Sequence, residues 1–279
     1  MNYLKINFEE MRFGAMKNTF DALERAFQKF GIDFYLIGAF ARDVWMNHLD
    51  HLPARRTTLD IDFSVYINET SQFNELKKYL VEQDHFTKDE ERPYRLFSAD
   101  QTIVDLIPFG GIEKNNMVYL DGESPMELSV FGNMQVLSYA ETIPAGNTDF
   151  KICTLPGLCI LKLISGHEKD DRYIKDLGDF YYILENYFEI SGDTLYDGDF
   201  DDLIEGDFIP QISAAILLGR QMAPILKESD TLKNKILDHL NKLKEGFSDE
   251  EIEQMYELEK EDIKIKRFRL ISCLTSQLS

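Results

Sequence analysis

Two aspartates one residue apart, Asp60 and Asp62, sit in the apolar run Thr57-Thr58-Leu59-Asp60-Ile61-Asp62-Phe63-Ser64-Val65. Successive side chains of a strand alternate faces, so both carboxylates project the same way. Two anions that close repel unless a cation neutralises them. Hard divalent ions take carboxylate oxygens, and Mg²⁺ needs only one or two protein carboxylates when phosphates complete its shell. For the pair taken alone, the alternative is a strand edge that turns its acids to solvent. A third acid, Asp105, interrupts the apolar run Thr102-Ile103-Val104-Asp105-Leu106-Ile107-Pro108-Phe109. Between Val104 and Leu106 a carboxylate does not serve packing, because an unpaired buried charge is costly. Facing water on an edge strand is its alternative reading.

The elements that would position these acids are short. Phe34 to Ala39 reads as an apolar strand ending at Gly38, and Phe40 to Leu49 as the helix that follows. A strand, a glycine turn and a helix N-terminus make a place for phosphate, since backbone N–H groups point outward there. Arg42, early in that helix, suits a phosphate oxygen or a neighbouring carboxylate. Ahead of the strand, Met16, Phe20, Leu23, Phe27 and Phe30 recur at helical spacing, and Gly31 closes that helix as a C-cap. Phe73 to Val81 reads as an amphipathic helix. Tyr94–Phe97 and Gln101–Phe109 form an expected hairpin turning at Ala99-Asp100, which would set Asp105 beside the Asp60 strand. Short strands are expected at Met117–Leu120 and Met134–Tyr139.

In this order, Gly38-Ala39, Asp60-Ile61-Asp62 and Asp105 resemble the nucleotidyltransferase superfamily, the DNA polymerase beta-like fold. Ala39-Arg42-Asp43 is similar to the Arg-Asp of tRNA nucleotidyltransferases and poly(A) polymerases. Leu161-Lys162-Leu163 and the run Arg172 to Asp179 resemble the abortive-infection (AbiEii-like) toxin nucleotidyltransferases. The resemblance covers roughly residues 30 to 185. It implies an α+β fold: a small mixed β-sheet core with flanking helices over residues 1–150, then a helical domain over residues 151–279 that completes the nucleotide site. It also implies that Asp60, Asp62 and Asp105 are both catalytic and metal-binding, and that Gly38, Ala39, Arg42, Lys162 and Asp176 bind nucleotide. Two departures stand out. Ala39 replaces the family's Ser or Gly, and the stretch from Met46 to Arg56 reads as an insertion.

Composition bounds the partners. The 279-residue chain has net charge −20, which argues against a general nucleic-acid binder and against broad DNA binding. Its three cysteines, Cys153, Cys159 and Cys273, have no metal-ligand spacing, and a reduced, cytoplasmic protein is expected. The N-terminal Met1 to Phe13 lacks a signal-peptide core, and no apolar run reaches the roughly 18 residues of a membrane span. From Thr154-Leu155-Pro156-Gly157 onward the chain reads as helical, with Pro156 in a first turn. Lys162 lies among Leu161, Leu163 and Ile164, so it needs an anion nearby or a route to the surface.

Other features carry less chemistry. His48 and His51 are spaced as metal ligands on one helix face but lack companions. Arg55 and Arg56 precede the acidic strand and would meet a triphosphate or the acids beside them. Asp197-x-Asp199-x-Asp201 fails as a calcium loop, because Asp202 and Phe208 stand where Gly and Glu are required. Asp193 to Asp207 is therefore expected as a surface loop. Ser248-x-x-Glu251 is a capping box for the last helix, and Lys264, Lys266, Arg267 and Arg269 form the dense basic cluster. The resemblance implies a Mg²⁺-dependent transfer of NMP from an NTP to a hydroxyl on a tRNA 3′ end, a protein or a small molecule. A toxin role would add an antitoxin partner. The alternative is a degenerate copy of the fold that senses nucleotide or binds a partner.

Overall fold

A computed structural model describes residues 16–46, 60–145, 148–168, 170–246 and 260–278. The expected features at His48, His51, Arg55, Arg56, the Met46–Arg56 insertion and the Ser248–Glu251 capping box lie outside the described residues. The protein is mixed α+β, with a seven-stranded mixed sheet and a helical C-terminal region. It divides into two compact units, a sheet unit that ends at Cys153 and a helical unit from Thr154 onward with which Trp45 and Met46 are also grouped.

In the sheet unit the elements are α1 (Lys17–Phe30), β1 (Phe34–Ile37), α2 (Gly38–Met46), β2 (Asp60–Tyr66), α3 (Thr70–Asp84), β3 (Thr87–Lys88), β4 (Arg95–Phe97), β5 (Ile103–Phe109), β6 (Met117–Leu120), β7 (Met126–Ser129), α4 (Asn133–Leu137), β8 (Glu141–Ala145) and β9 (Thr148–Ile152). The strand order is β3-β4-β5-β2-β1-β9-β8, while β6 and β7 pair as a separate hairpin. β2 lies inside the sheet, antiparallel to β1 and parallel to β5. Alternation divides β2 into two faces. Ile61, Phe63 and Val65 are fully buried, and Phe63 meets Phe20 and Phe27 of α1 edge-on, at 6.0 and 5.7 Å between ring centroids. Aromatic pairs in this geometry add to the free energy of burying their area, which is about 1.5–3 kcal/mol for a side chain of this size. Asp60, Asp62 and Ser64 belong to the opposite face.

Local chemistry sets the boundaries as expected at several points. Gly31 adopts φ 60°, and its N–H reaches Gln28 and Phe27 carbonyls to close α1. β4 and β5 pair around the Ala99-Asp100 turn, where Asp100 accepts from Thr19 and Thr102 hydroxyls and from Ser98. Met134–Tyr139 corrects the sequence expectation: the segment is not a strand but carries the helix α4. Gly132, at φ 83°, turns the chain, and Asn133, Val136 and Leu137 are buried at helical spacing.

The second unit contains α5 (Leu155–Glu168), α6 (Tyr173–Glu185), α7 (Tyr187–Ser191), α8 (Pro210–Lys227), α9 (Asp230–Lys244) and α10 (Lys260–Thr275). α5 packs against α6, α8 and α9. It is apolar around most of its circumference, as a central helix must be. Thr154 opens it, accepting from the Gly157 N–H at 3.3 Å. The acidic Asp193–Asp207 stretch forms short 3₁₀ turns at Gly192–Tyr196 and Asp201–Leu203. Among the described residues, no helix is long and apolar enough to cross a membrane.

Candidate functional site

The three aspartates of the sheet unit come together through strand register. Asp62 is the partner of Asp105 in the parallel β2–β5 ladder, and Ile37, the last residue of β1, is its partner on the other side. Residues in register project to the same face, so Asp60, Asp62 and Asp105 share one face of adjacent strands. Asp60 and Asp62 are half-buried, whereas Asp105 is 3% exposed. One alternation beyond Asp62 the face closes. Ser64 is fully buried and accepts from Asn133 Nδ2 at 3.1 Å. Farther along, Phe109 meets Tyr35 and Tyr66. The acids therefore occupy the end of the face where β1 passes into α2.

That passage has no loop. Gly38 follows Ile37 directly and is the first residue of α2. Its φ of +75° favours glycine, and a Cβ there would lie 2.1 Å from Asp62 Oδ2. The Asp62 carboxylate thus rests against the backbone of the turn, at the end of α2 that carries the partial positive charge. First-turn N–H groups of a helix have no intrahelical acceptor, so Gly38 and Ala39 offer donors of the kind that phosphate accepts. The Ala39 methyl is buried. Arg42, 1% exposed, donates from Nε and Nη2 to Asp43 Oδ1 at 2.9 and 2.5 Å.

Arg95 is a residue the sequence reading did not single out. It stands opposite Asp105 in the β4–β5 ladder. Its Nε and Nη2 donate to Asp105 Oδ1 and Oδ2 at 2.7 and 2.8 Å, a bidentate pair at a largely buried position. The hydrogen bonds to Asp105, opposed by burial and aided by the charges of Asp105 and Asp60, hold the guanidinium well above its ordinary range. Counting back through the turn from Asp100 would have placed Arg95 across from Asp105. As a donor set, three carboxylates on one face have the chemistry that suits a hard divalent ion. Asp60 and Asp62 fit it directly, and Asp105 fits once its oxygens are released by Arg95. Among the described residues, no group of three or more His, Cys, Asp or Glu side chains stands assembled as a metal-binding cluster.

Lys162 and Asp176 belong to the second unit, where they form a buried ion cluster. Lys162 Nζ lies 2.6 Å from Asp176 Oδ1 and 3.0 Å from Asp179 Oδ2, and Ser165 Oγ donates to Asp176 Oδ2 at 2.7 Å. Asp176 and Asp179 are 1% and 0% exposed. Burial works to lower the Lys162 ammonium, but the two carboxylates outweigh it and hold its pKa above the usual value. Burial likewise works to raise Asp176, and the Lys162 charge with its hydrogen bonds brings it below the ordinary carboxylate range. The anion that Lys162 requires is thus supplied by α6 itself, and Asp179 and Ser165 complete a set of which the sequence reading chose two members. Arg267 of the basic cluster is also buried. It donates to Glu185 Oε1 at 2.8 Å and lies 3.9 Å above the Tyr181 ring, while Lys264, Lys266 and Arg269 are exposed. Comparison of the chain with protein-family models, curated proteins and solved structures finds no match.

Proposed function

We propose that the sheet unit is the core of a Mg²⁺-dependent nucleotidyltransferase that moves NMP from an NTP to a hydroxyl acceptor. The observation that carries this reading is the register of Asp62 with Asp105 on neighbouring parallel strands, with Asp60 on the same face. The Gly38 turn packed on Asp62 supports it. Asp60, Asp62 and, once freed from Arg95, Asp105 would hold the ion, which when bound supplies charge compensation at the triphosphate and at the entering and leaving oxygens. The Gly38 and Ala39 N–H groups donate to the terminal phosphate oxygens. Asp105 takes the proton of the acceptor hydroxyl. The acceptor oxygen then bonds to the α-phosphorus as the bond to pyrophosphate breaks. A tRNA 3′ end, a protein hydroxyl and a small molecule all fit this chemistry. A toxin held by an antitoxin is the biological setting we propose for it.

Calorimetric titration with each NTP, with and without Mg²⁺, tests the reading. Wild type should bind at least one NTP only when Mg²⁺ is present, and Asp62→Asn should lose that binding while keeping its circular dichroism spectrum. Absence of NTP binding in wild type under both conditions would contradict the proposal. A second reading, a nucleotide sensor without turnover, is favoured by the engagement of both Asp105 oxygens with Arg95. It predicts the same binding with no release of pyrophosphate.

A further inference from the structure

We infer that Arg95 is the positioning residue of the acidic site, a built-in cation that holds Asp105 in the ion-free protein and competes with a divalent ion for it. The inference deepens the nucleotidyltransferase reading and rests on it. Asp105 is almost wholly buried, and a buried carboxylate without a partner is expensive. Both of its oxygens are taken by one guanidinium, which comes from the adjacent strand at the paired register position. The fork geometry of arginine fits two carboxylate oxygens at once, as the ammonium of lysine does not. Asp60 also acts on the Arg95 charge, so the guanidinium stands in the field of the acids that a metal ion would use. A divalent ion at Asp62 and Asp105 would meet that positive charge at contact range. Arg95 therefore sets the ion concentration at which Asp105 becomes available, and it keeps the third carboxylate oriented until then.

Binding of Mn²⁺ alone, followed by calorimetry and by thermal unfolding, tests this on the full chain as wild type, Arg95→Gln, Arg95→Lys and Asp62→Asn. Arg95→Gln should bind Mn²⁺ roughly tenfold more tightly than wild type, because a repelling unit charge has gone from the site. Its melting temperature without ion should fall, and Mn²⁺ should restore it by a larger increment than wild type shows. Arg95→Lys keeps the charge but loses the bidentate grip, and should bind roughly threefold more tightly than wild type. It carries the test if the glutamine variant does not fold. Ion binding that weakens or stays unchanged in the folded Arg95 variants, with binding in wild type abolished by Asp62→Asn, would overturn the role of Arg95 and leave the site standing. Absence of Mn²⁺ binding in wild type and Arg95 variants alike, or binding indifferent to Asp62→Asn, would overturn the ion site and the inference together.

Discussion

At Gly38 one methyl group probes the site. Alanine there must adopt φ +75° and must also displace the Asp62 carboxylate, whose Oδ2 lies 2.1 Å from the new Cβ. Backbone strain of this kind costs on the order of 1–3 kcal/mol. We expect Gly38→Ala to lower the urea midpoint accordingly and to lose Mg²⁺-dependent NTP binding. Unchanged binding would show that Asp62 need not rest on the turn. Lys162 makes a different kind of prediction. It is the ammonium between buried Asp176 and Asp179, and Lys162→Met would leave two carboxylates without it. Breaking a buried pair from one side costs about 3–5 kcal/mol. Denaturant unfolding should show that loss, with partial recovery in Lys162→Met/Asp176→Asn, where one charge is removed. A Lys162→Met protein as stable as wild type would contradict the structural role. The pH dependence of this cluster follows from the two shifts. Lys162, raised, stabilises fully below its unfolded pKa near 10.5 and loses that contribution as pH rises through the higher folded value. Asp176, depressed, stabilises above about 3.8 and loses its contribution as pH falls through the lower folded value.

Between elements, α5 and α9 meet at a pair of stacked imidazoles. His167 and His239 lie 4.0 Å apart at 11° between planes, and Tyr173 meets His167 edge-on. His167 Nδ1 donates to Leu163 O at 2.9 Å, whereas neither nitrogen of buried His239 has a hydrogen-bond partner among the described residues. Burial, then the charges of His167, Lys235 and Lys242, push His239 down to about 4, with Asp238 opposing. His167 is lowered as well, chiefly by burial. Above pH 6.5 these groups are neutral in both states and contribute no pH dependence. As pH falls from 6.5 toward 4 the unfolded chain takes up a proton at His239 that the folded chain refuses, so stability falls by up to about 1.4 kcal/mol per pH unit, and His167 acts in the same direction. Melting temperature should decline across that window, and His239→Phe should flatten the decline; an unaltered slope would contradict the assignment.

The same scale shows what the sequence could and could not disclose. The α1 boundary at Gly31 and the β4–β5 hairpin depend on local spacing and turn chemistry, and both were legible. That Asp105 lies beside the Asp60 strand was expected from that hairpin, but its register with Asp62 is set by the long-range pairing of β2 with β5. Met134–Tyr139 misled because a five-residue helix offers too few turns for its period to stand out from an apolar run. β7, β8 and β9 passed unseen because strands of four or five residues offer too few alternations to stand out, although β7 and β9 pair with the strands just before them. Arg95 was hidden because its importance lies in the residue across the ladder, and Asp179 because a charged residue at helical spacing reads as solvated until the packing of α5 on α6 buries it.

For the molecule as a whole, two compact units carry their charge differently. The sheet unit gathers three acids at the end of one sheet face. The helical unit buries Lys162 with Asp176 and Asp179, and Arg267 with Glu185. Net charge −20 makes nonspecific adhesion to nucleic acid unfavourable, so an RNA acceptor would have to be held by local chemistry. The measurement that bears most directly on the central claim is incorporation of α-³²P-labelled NTPs, with Mg²⁺, into total cellular RNA and protein. Wild type is compared with Asp62→Asn. Label in one fraction, absent with the variant and absent without Mg²⁺, is the predicted result, and the labelled fraction names the acceptor class. NTP binding without label in either fraction and without release of pyrophosphate, or label that survives Asp62→Asn, would contradict a transferase built on these aspartates.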